Sequence, residues 1–196
     1  MPPREVTFVQ DHYYHIYNRG VARQSIFRET DNYLFFLRRL KKCAHDLNVS
    51  VIAYCLLPNH YHLLVRQDGF EPAGLLPQRC CNSYAKAFNK RYGRTGALFE
   101  DRYQAIEVDS EAYLLQVCRY IHANPVRHGL ASQLEEWPFS NYPEWLGLRN
   151  GELVDRAFIQ AHFQTAAQYG HFVSSYALGQ DDLPIELTGY LRSLGG

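Results

Sequence analysis

Two histidines one residue apart, His60 and His62, stand in the otherwise apolar segment LLPNHYHLLV of residues 56–65. Side chains at positions i and i+2 of a β-strand point to the same face, so a strand here would project both imidazoles together. Imidazole is the commonest protein ligand for divalent metals, and two on one face provide half of a metal site. Such a pair is often incidental on the polar face of a sheet. A third ligand and a reacting group are therefore needed before the pair indicates chemistry.

The helix predicted over residues 110–124 could supply both. Tyr120 and Asn124 are four residues apart, so they are neighbours on the helix surface. They border the predicted buried stripe, which consists of Leu114, Val117, Cys118 and Ile121. A polar group at such a border can lean into a cleft. Alternatively, Tyr120 covers the core with its hydroxyl in water, and Asn124 ends the helix.

Four strands must position these side chains, and runs of alternating or β-branched residues predict them at residues 12–20, 49–57, 60–67 and 103–108. Pro58 and Asn59 form the turn between the middle two strands. Apolar residues at helical spacing predict helices over residues 30–48, 75–92 and 110–124. Pro125 should stop the last helix, because the residue before a proline is pushed away from helical geometry.

The order of the first six elements, which end with the strand at residues 103–108, matches the split βαβ pattern of ferredoxin-like folds. The sequence therefore predicts the α+β class, with an antiparallel sheet and helices on one of its faces. The aromatic and proline-punctuated residues 135–147 should pack back onto this unit. Residues 153–169 and 171–178 have helical patterns, and residues 179–196 form a polar tail that should be loosely held. We divide the chain into a domain of residues 1–149 and a C-terminal helical extension and tail of residues 150–196, without an assigned function.

Composition limits the class of protein. The 196 residues are enough for a sizeable core, and 46% hydrophobic with 20% charged residues is typical of a soluble globular protein. No apolar run approaches the roughly 20 residues of a membrane span, and the first ten residues do not have the pattern of a secretion signal. The five cysteines include no CxxC pair, which argues against a cysteine-based zinc site and favours a reducing cytoplasm.

The net charge is zero, but the charge is unevenly distributed. Six basic and two acidic residues lie between Arg79 and Tyr103, interleaved with Tyr84, Phe88, Tyr92 and Phe99. A mixed basic and aromatic surface suits single-stranded nucleic acid, in which phosphates meet cations and bases stack on rings. Taken alone, this segment favours the alternative of a solvated helix whose aromatic residues lie in the core.

At PNHYH and RYIHANPVRHG (residues 119–129) the chain resembles the HUH single-strand DNA transposases that use one tyrosine. It resembles most the branch called REP-associated tyrosine transposases. The likeness extends to HYYHIYNRG at residues 12–20, GALFEDRYQAIEV at 96–108, YLLQVCRYIHANPVRHGL at 113–130 and WPFSNY at 137–142. It covers residues 12–147. Several motifs in the order of the family are far more specific than a histidine pair alone.

The resemblance implies an HUH endonuclease-type domain and a role for each of four residues. His60 and His62 stand at the metal-ligating positions, and Asn124 stands where the family has a third, amide-type ligand. Tyr120 stands where the family has the nucleophile that cleaves single-stranded DNA and forms a covalent 5′-phosphotyrosine. The implied cofactor is Mg²⁺ or Mn²⁺, and Zn²⁺ or Ni²⁺ are acceptable substitutes.

The implied partner is single-stranded DNA with a short hairpin, bound by a monomer rather than a dimer and away from any membrane. Seven residues are candidates for phosphate contacts as a group: Arg19, Lys86, Lys90, Arg91, Arg94, Arg102 and Arg127. Two alternatives stay open. One is a DNA-hairpin-binding protein of the same fold that performs no strand transfer. The other is a hydrolytic phosphodiesterase that forms no covalent intermediate.

Overall fold

The computed structural model describes residues 6–184, and a four-stranded antiparallel sheet forms its centre. The strands are β1 (Tyr13–Arg19), β2 (Val49–Leu57), β3 (His60–Gln67) and β4 (Gln104–Val108), in the spatial order β2-β3-β1-β4. Each neighbouring pair runs antiparallel. This is the ferredoxin-like order, so the predicted α+β class is confirmed. The predicted tail from residue 185 onward lies outside the described residues.

Helices cover both faces of the sheet. They are α1 (Thr30–Leu47), α2 (Leu75–Tyr92), α3 (Glu111–Arg127), α4 (Tyr142–Trp145), α5 (Arg156–His162) and α6 (Ala166–Ala177). Helices α1 and α2 cover one face, and α3 covers the other with α6 packed against it. The two helices of the predicted split βαβ unit, α1 and α2, therefore lie on one face as expected, and α3, which follows that unit in the chain, covers the other face. The physical reason lies in β3, where Leu63 is buried towards α1 and Leu64 is buried towards α3, so both faces need a cover.

Helix α3 does not stop before Pro125. Ser110 caps its start, with its hydroxyl accepting a hydrogen bond from the amide of Tyr113 at 3.3 Å. The helix then runs through Pro125 to Arg127. A proline in the last turn removes one amide donor, but the carbonyl of Pro125 still accepts a bond from the amide of Leu130 at 2.8 Å.

Two capping side chains mark the starts of the two helices in the C-terminal extension. Asp155 accepts from the amide of Phe158 and starts α5, and Thr165 accepts from the amide of Gln168 and starts α6. The predicted helix over residues 153–169 is therefore two helices, and Gly170, which separated the two predicted segments, lies inside α6.

Residues 135–147 pack along β2, as predicted. The indole of Trp137 donates to the carbonyl of Leu56 at 3.0 Å, and the indole of Trp145 donates to the carbonyl of Ile52 at 3.1 Å.

All five cysteines are buried and free. Within residues 6–184, no helix is long and apolar enough to cross a membrane.

Candidate active site

His60 and His62 lie on β3 and face α3 together, with their ring centroids 5.2 Å apart. Strand β1 pairs with β3, and the register of this pairing places Arg19 opposite His60 and Tyr17 opposite His62. The local pattern explains the common face, because His60 and His62 are separated by Tyr61, whose ring is buried on the opposite side.

Tyr120 lies on α3 above the histidines of the same chain. Its ring centroid is 5.3 Å from that of His62, and the two rings meet edge to face. The phenol is buried, with 9% of the residue exposed, and burial raises its pKa well above the usual value. Proximity to Tyr176 raises that pKa further, and a hydrogen bond with the Asn124 side chain lowers it in part. At neutral pH the hydroxyl is therefore protonated.

Asn124 lies one helical turn after Tyr120 and is buried. Its amide nitrogen donates to the carbonyl oxygen of Tyr120 at 2.8 Å. Of its two side-chain atoms, the amide oxygen is therefore the one suited to ligating a metal. The structure brings Asn124 to the same face of α3 as Tyr120, as the spacing of four residues predicts.

The motif histidines are neutral at physiological pH. Burial lowers the pKa of His60 to about 4, with His128 and Arg19 adding to the effect. Burial also lowers the pKa of His62 well below its usual value, and the neighbouring His60, His15 and His128 contribute. Because a metal binds the neutral imidazole, this environment favours metal ligation over protonation.

Each motif histidine has a hydrogen-bond partner at its Nδ1 atom. Nδ1 of His60 is 2.7 Å from the amide oxygen of Asn59, and Nδ1 of His62 is 3.1 Å from Nε2 of His15. Sequence reasoning missed His15, although the alternation in HYYHIYNRG places it on one face with Tyr17. The missing information was the pairing of β1 with β3, which a local pattern does not contain.

The donor set fits a divalent cation that keeps open coordination positions. Across the described residues, no three or more His, Cys, Asp and Glu side chains form a metal-binding group. Any metal here would therefore depend on two imidazole nitrogens and a neutral amide oxygen. Such mixed ligands suit a hard or borderline divalent ion, and a small ligand set leaves room for substrate oxygens.

A cleft of about 330 Å³ opens beside the histidines. His60 and His62 line it together with Arg19, Glu100 and Arg102. Arg19 forms an ion pair with Glu100, and this guanidinium holds the pKa of the carboxyl below its usual value. The cleft therefore combines two imidazoles that could ligate a metal with two cations that can meet phosphate oxygens.

The seven predicted phosphate contacts do not form one surface. Arg19 and Arg102 line the cleft, and Arg127 at the end of α3 lies over the ring of Tyr176 at 4.4 Å. The other four lie on or just after α2, across the sheet from the histidines: Lys86, Lys90, Arg91 and Arg94. Arg91 is already paired with Glu29 and Asp31. Two aromatic residues of this segment, Tyr84 and Phe88, are buried in the core, as the solvated-helix alternative expects. The phosphate contacts of its basic residues stay a prediction.

The opposite face of α3 is held by polar contacts to α6 and to the segment before α4. His122 is fully buried between the Tyr169 hydroxyl at 2.5 Å and the Asn141 amide oxygen at 2.9 Å. Arg119 donates to Ser175 at 2.8 Å and to Asp181 at 2.5 Å. These two residues of the RYIHANPVRHG motif therefore fix the helix that carries Tyr120.

Known proteins resemble this chain in sequence and in fold. The family model described as "Transposase IS200 like" matches residues 8–124, more than half of the chain. A protein of Haemophilus influenzae assigned to the REP-associated tyrosine transposases is 26% identical over 129 residues, which are 58% of this chain and 70% of that protein. A solved structure of a REP-associated tyrosine transposase bound to a REP hairpin aligns with a TM-score of 0.62. It is 17% identical, and the alignment covers 80% of this chain and 98% of that one.

Proposed function

This chain belongs to the IS200-like transposase family, and from that premise we propose that it cleaves and rejoins single-stranded DNA near a hairpin with Tyr120 as its nucleophile. The similarity to the REP-associated branch that the motifs predict is confirmed. One observation carries the proposed chemistry: the Tyr120 ring lies 5.3 Å from that of His62 within one chain. A single chain therefore supplies both the candidate nucleophile and the candidate metal ligands, which favours a monomer as the active unit.

In the proposed reaction, the phenolic oxygen of Tyr120 attacks the phosphorus of the scissile phosphodiester. A bond forms between that oxygen and the phosphorus, and the bond from the phosphorus to the 3′-oxygen breaks. The downstream strand stays on the protein as a 5′-phosphotyrosine. The phenol proton passes overall to the departing 3′-oxygen, so the step neither takes up nor releases a proton.

The reverse step rejoins the strand without an external energy source. A DNA 3′-hydroxyl attacks the phosphotyrosine, and the Tyr120 oxygen leaves with the proton. A phenol is more acidic than a sugar hydroxyl, which makes it the better leaving group, and burial narrows this difference because it raises the pKa of Tyr120. Tyr120 is 9% exposed, and in the proposed intermediate this burial would limit the access of water to the phosphotyrosine.

The proposed metal ligands are His60, His62 and the amide oxygen of Asn124, with Mg²⁺ or Mn²⁺ as the working ion and Zn²⁺ or Ni²⁺ as substitutes. When bound, such an ion polarises the phosphate and offsets negative charge in the transition state. Arg19 and Arg102 of the cleft would hold the flanking phosphates in position. The lowered pKa values of the histidines keep their nitrogens available as ligands at neutral pH.

The proposed substrate is single-stranded DNA that contains a hairpin. The fold neighbour was solved with a REP hairpin bound, and its fold spans 80% of this chain. On the present structure, the cleft with Arg19 and Arg102 would receive the single strand beside the hairpin.

Tyr120→Phe tests the proposal, since it removes the phenolic oxygen and keeps the ring. With hairpin-bearing DNA and Mn²⁺, the natural protein should give a DNA–protein adduct that survives denaturation. The variant should give none, with cleavage reduced by about 10³-fold or more and DNA affinity within about twofold. Tyr113→Phe, on the same helix, is the matched control and should cleave normally.

Three outcomes would contradict the proposal in different ways. Full cleavage by Tyr120→Phe would exclude Tyr120 as the nucleophile. Cleavage by the natural protein without any adduct would favour a hydrolytic phosphodiesterase. Tight hairpin binding without cleavage in Mn²⁺ would favour a DNA-binding protein that performs no strand transfer.

A further inference from the structure

His15 is a fully buried histidine in the central strand β1, on the same face as the motif histidines. Its Nε2 atom lies 3.1 Å from Nδ1 of His62, and the two rings stack with centroids 5.2 Å apart. The Tyr120 ring lies 6.3 Å from that of His15. Burying an imidazole is unfavourable unless it is hydrogen-bonded, and His62 is one hydrogen-bond partner of His15.

The contact of His60 with Asn59 shows what such a partner does. An amide oxygen accepts hydrogen bonds and cannot donate them, so the 2.7 Å contact requires the proton of His60 on Nδ1. The lone pair of His60 then lies on Nε2, where it is available to a metal. Asn59 therefore selects the ligating tautomer of His60.

The same reasoning applies to His62, but with an imidazole as the partner. One proton lies between Nδ1 of His62 and Nε2 of His15, and either ring can carry it. If His15 donates, the Nε2 atom of His62 carries a proton and cannot ligate. If His62 donates, its Nε2 atom has the lone pair. Metal binding therefore requires His15 to be the acceptor.

We propose that His15 is a positioning residue, which accepts the Nδ1 proton of His62 and so presents Nε2 of His62 as the metal ligand. The inference rests on the proposed function, in which His62 is such a ligand. His15 then does for His62 what Asn59 does for His60. Partners of this kind orient most metal-bound histidines, and their loss commonly weakens metal affinity 10- to 100-fold.

The environment of His15 agrees with an acceptor role. Its ring is fully buried and stacks on that of His62, and a neutral imidazole offers a lone pair at one of its ring nitrogens. The position of His15 is fixed because β1 pairs with β3 on one side and β4 on the other.

Calorimetric titration with Mn²⁺ in the absence of DNA tests this role apart from catalysis. His15→Phe keeps a ring and removes the acceptor, so Mn²⁺ affinity should fall about 10- to 100-fold. His15→Gln places an amide oxygen near the original Nε2 position and should restore affinity to within about threefold. His12→Gln, at an exposed histidine beside the start of β1, is the control and should bind Mn²⁺ normally. Thermal unfolding should report all variants as folded.

Unchanged Mn²⁺ affinity in folded His15→Phe would overturn the inference. So would equal losses in the Phe and Gln variants, which would indicate a packing role. His62→Ala separates the two levels of argument: if it binds Mn²⁺ normally, the proposed metal site itself is wrong. A measurement on the natural protein needs no variant at all. Long-range ¹H–¹⁵N NMR correlations should find the His62 proton on Nδ1, and a proton on Nε2 would exclude His15 as the acceptor.

Discussion

The two sides of the sheet are made from the same strands and differ in what they bury. On β3, Tyr61 and Leu63 enter a core with α1 and α2 that is rich in aromatic rings. His62, which lies between them in the chain, and His60, which precedes them, face α3 instead. The histidines whose pKa is lowered by burial all lie on this second side: His15, His60, His62, His122 and His128.

The difference teaches how one small sheet combines stability with chemistry. Burial of apolar rings on the α1 side contributes free energy of folding in proportion to the area removed from water. On the α3 side, a buried polar group such as His122 is tolerated because it is hydrogen-bonded at both ring nitrogens. Substitutions on the two sides should therefore affect different quantities.

The largest expected effect comes from comparing His60→Ala with Leu63→Ala on β3. His60→Ala should reduce DNA cleavage at least about a hundredfold, because it removes a proposed metal ligand. Its free energy of unfolding should change little, because His60 is half-buried at the cleft. Leu63→Ala should lower the free energy of unfolding by about 2–5 kcal/mol and leave the cleavage rate per folded molecule nearly unchanged. Denaturant titration and a cleavage assay measure the two quantities.

The opposite outcome for either variant would contradict the assigned difference between the two sides of the sheet. If His60→Ala destabilises the protein as much as Leu63→Ala does, the α3 side is a second structural core. If Leu63→Ala abolishes cleavage while the protein is folded, the α1 side takes part in the chemistry.

An intermediate effect should appear in the pH dependence of stability. Burial lowers the pKa of His122 to about 4, whereas the unfolded value is about 6.5. As pH falls below 6.5, the unfolded chain binds a proton at this position and the folded chain does not. The stabilisation is therefore complete above pH 6.5 and is lost as pH falls towards 4, by about 3 kcal/mol for this residue.

His122→Gln removes that titration, so its free energy of unfolding should decline less between pH 6.5 and 4 than that of the natural protein. Tyr84→Phe, on the α1 side, loses the hydrogen bond to the Ile26 carbonyl at every pH and should keep the natural slope. Guanidinium titrations at several pH values measure both. Identical slopes for His122→Gln and the natural protein would show that acid sensitivity has another source.

The smallest expected effect concerns the entrance to the cleft. Glu100 pairs with Arg19, so it competes with phosphate for that guanidinium. Glu100→Gln should strengthen binding of hairpin-bearing single-stranded DNA about threefold at low salt, with less gain at high salt. Glu107→Gln, which removes an acidic partner of His12 near the other end of the strands, should not. Fluorescence anisotropy at two salt concentrations measures the effect, and equal gains in both variants would indicate a general charge effect.

Local patterns predicted the elements that local forces determine. The hairpin of β2 and β3 has the predicted bounds, because β-branched residues and the Pro58-Asn59 turn act over a few residues. Helix α2 also has its predicted bounds. Helix α1 ends at Leu47, and Asn48 follows it as a C-terminal cap with a left-handed backbone. The proximity of Tyr120 to His62 was predicted from the resemblance to a family, because no spacing rule relates residues so far apart in the chain.

What the local patterns left open or predicted wrongly concerns interactions between elements. An apolar stripe on α3 indicates that it is buried but not which face of the sheet buries it. Pro125 predicts the end of an isolated helix, yet packing against the sheet and α6 extends α3 to Arg127. His15 gave no signal because its partner lies on another strand. The roles of His60, His62, Tyr120 and Asn124 stay predictions until the variants are measured.

The central position of β1 has a consequence for how the protein is made. Its His15 meets His62 only after the β2–β3 hairpin has paired with β1, and Tyr120 follows 58 residues later in the chain. A nascent chain therefore leaves the ribosome with its histidines long before its proposed nucleophile. We expect fragments that end before α3 to be unable to nick DNA, because they lack Tyr120.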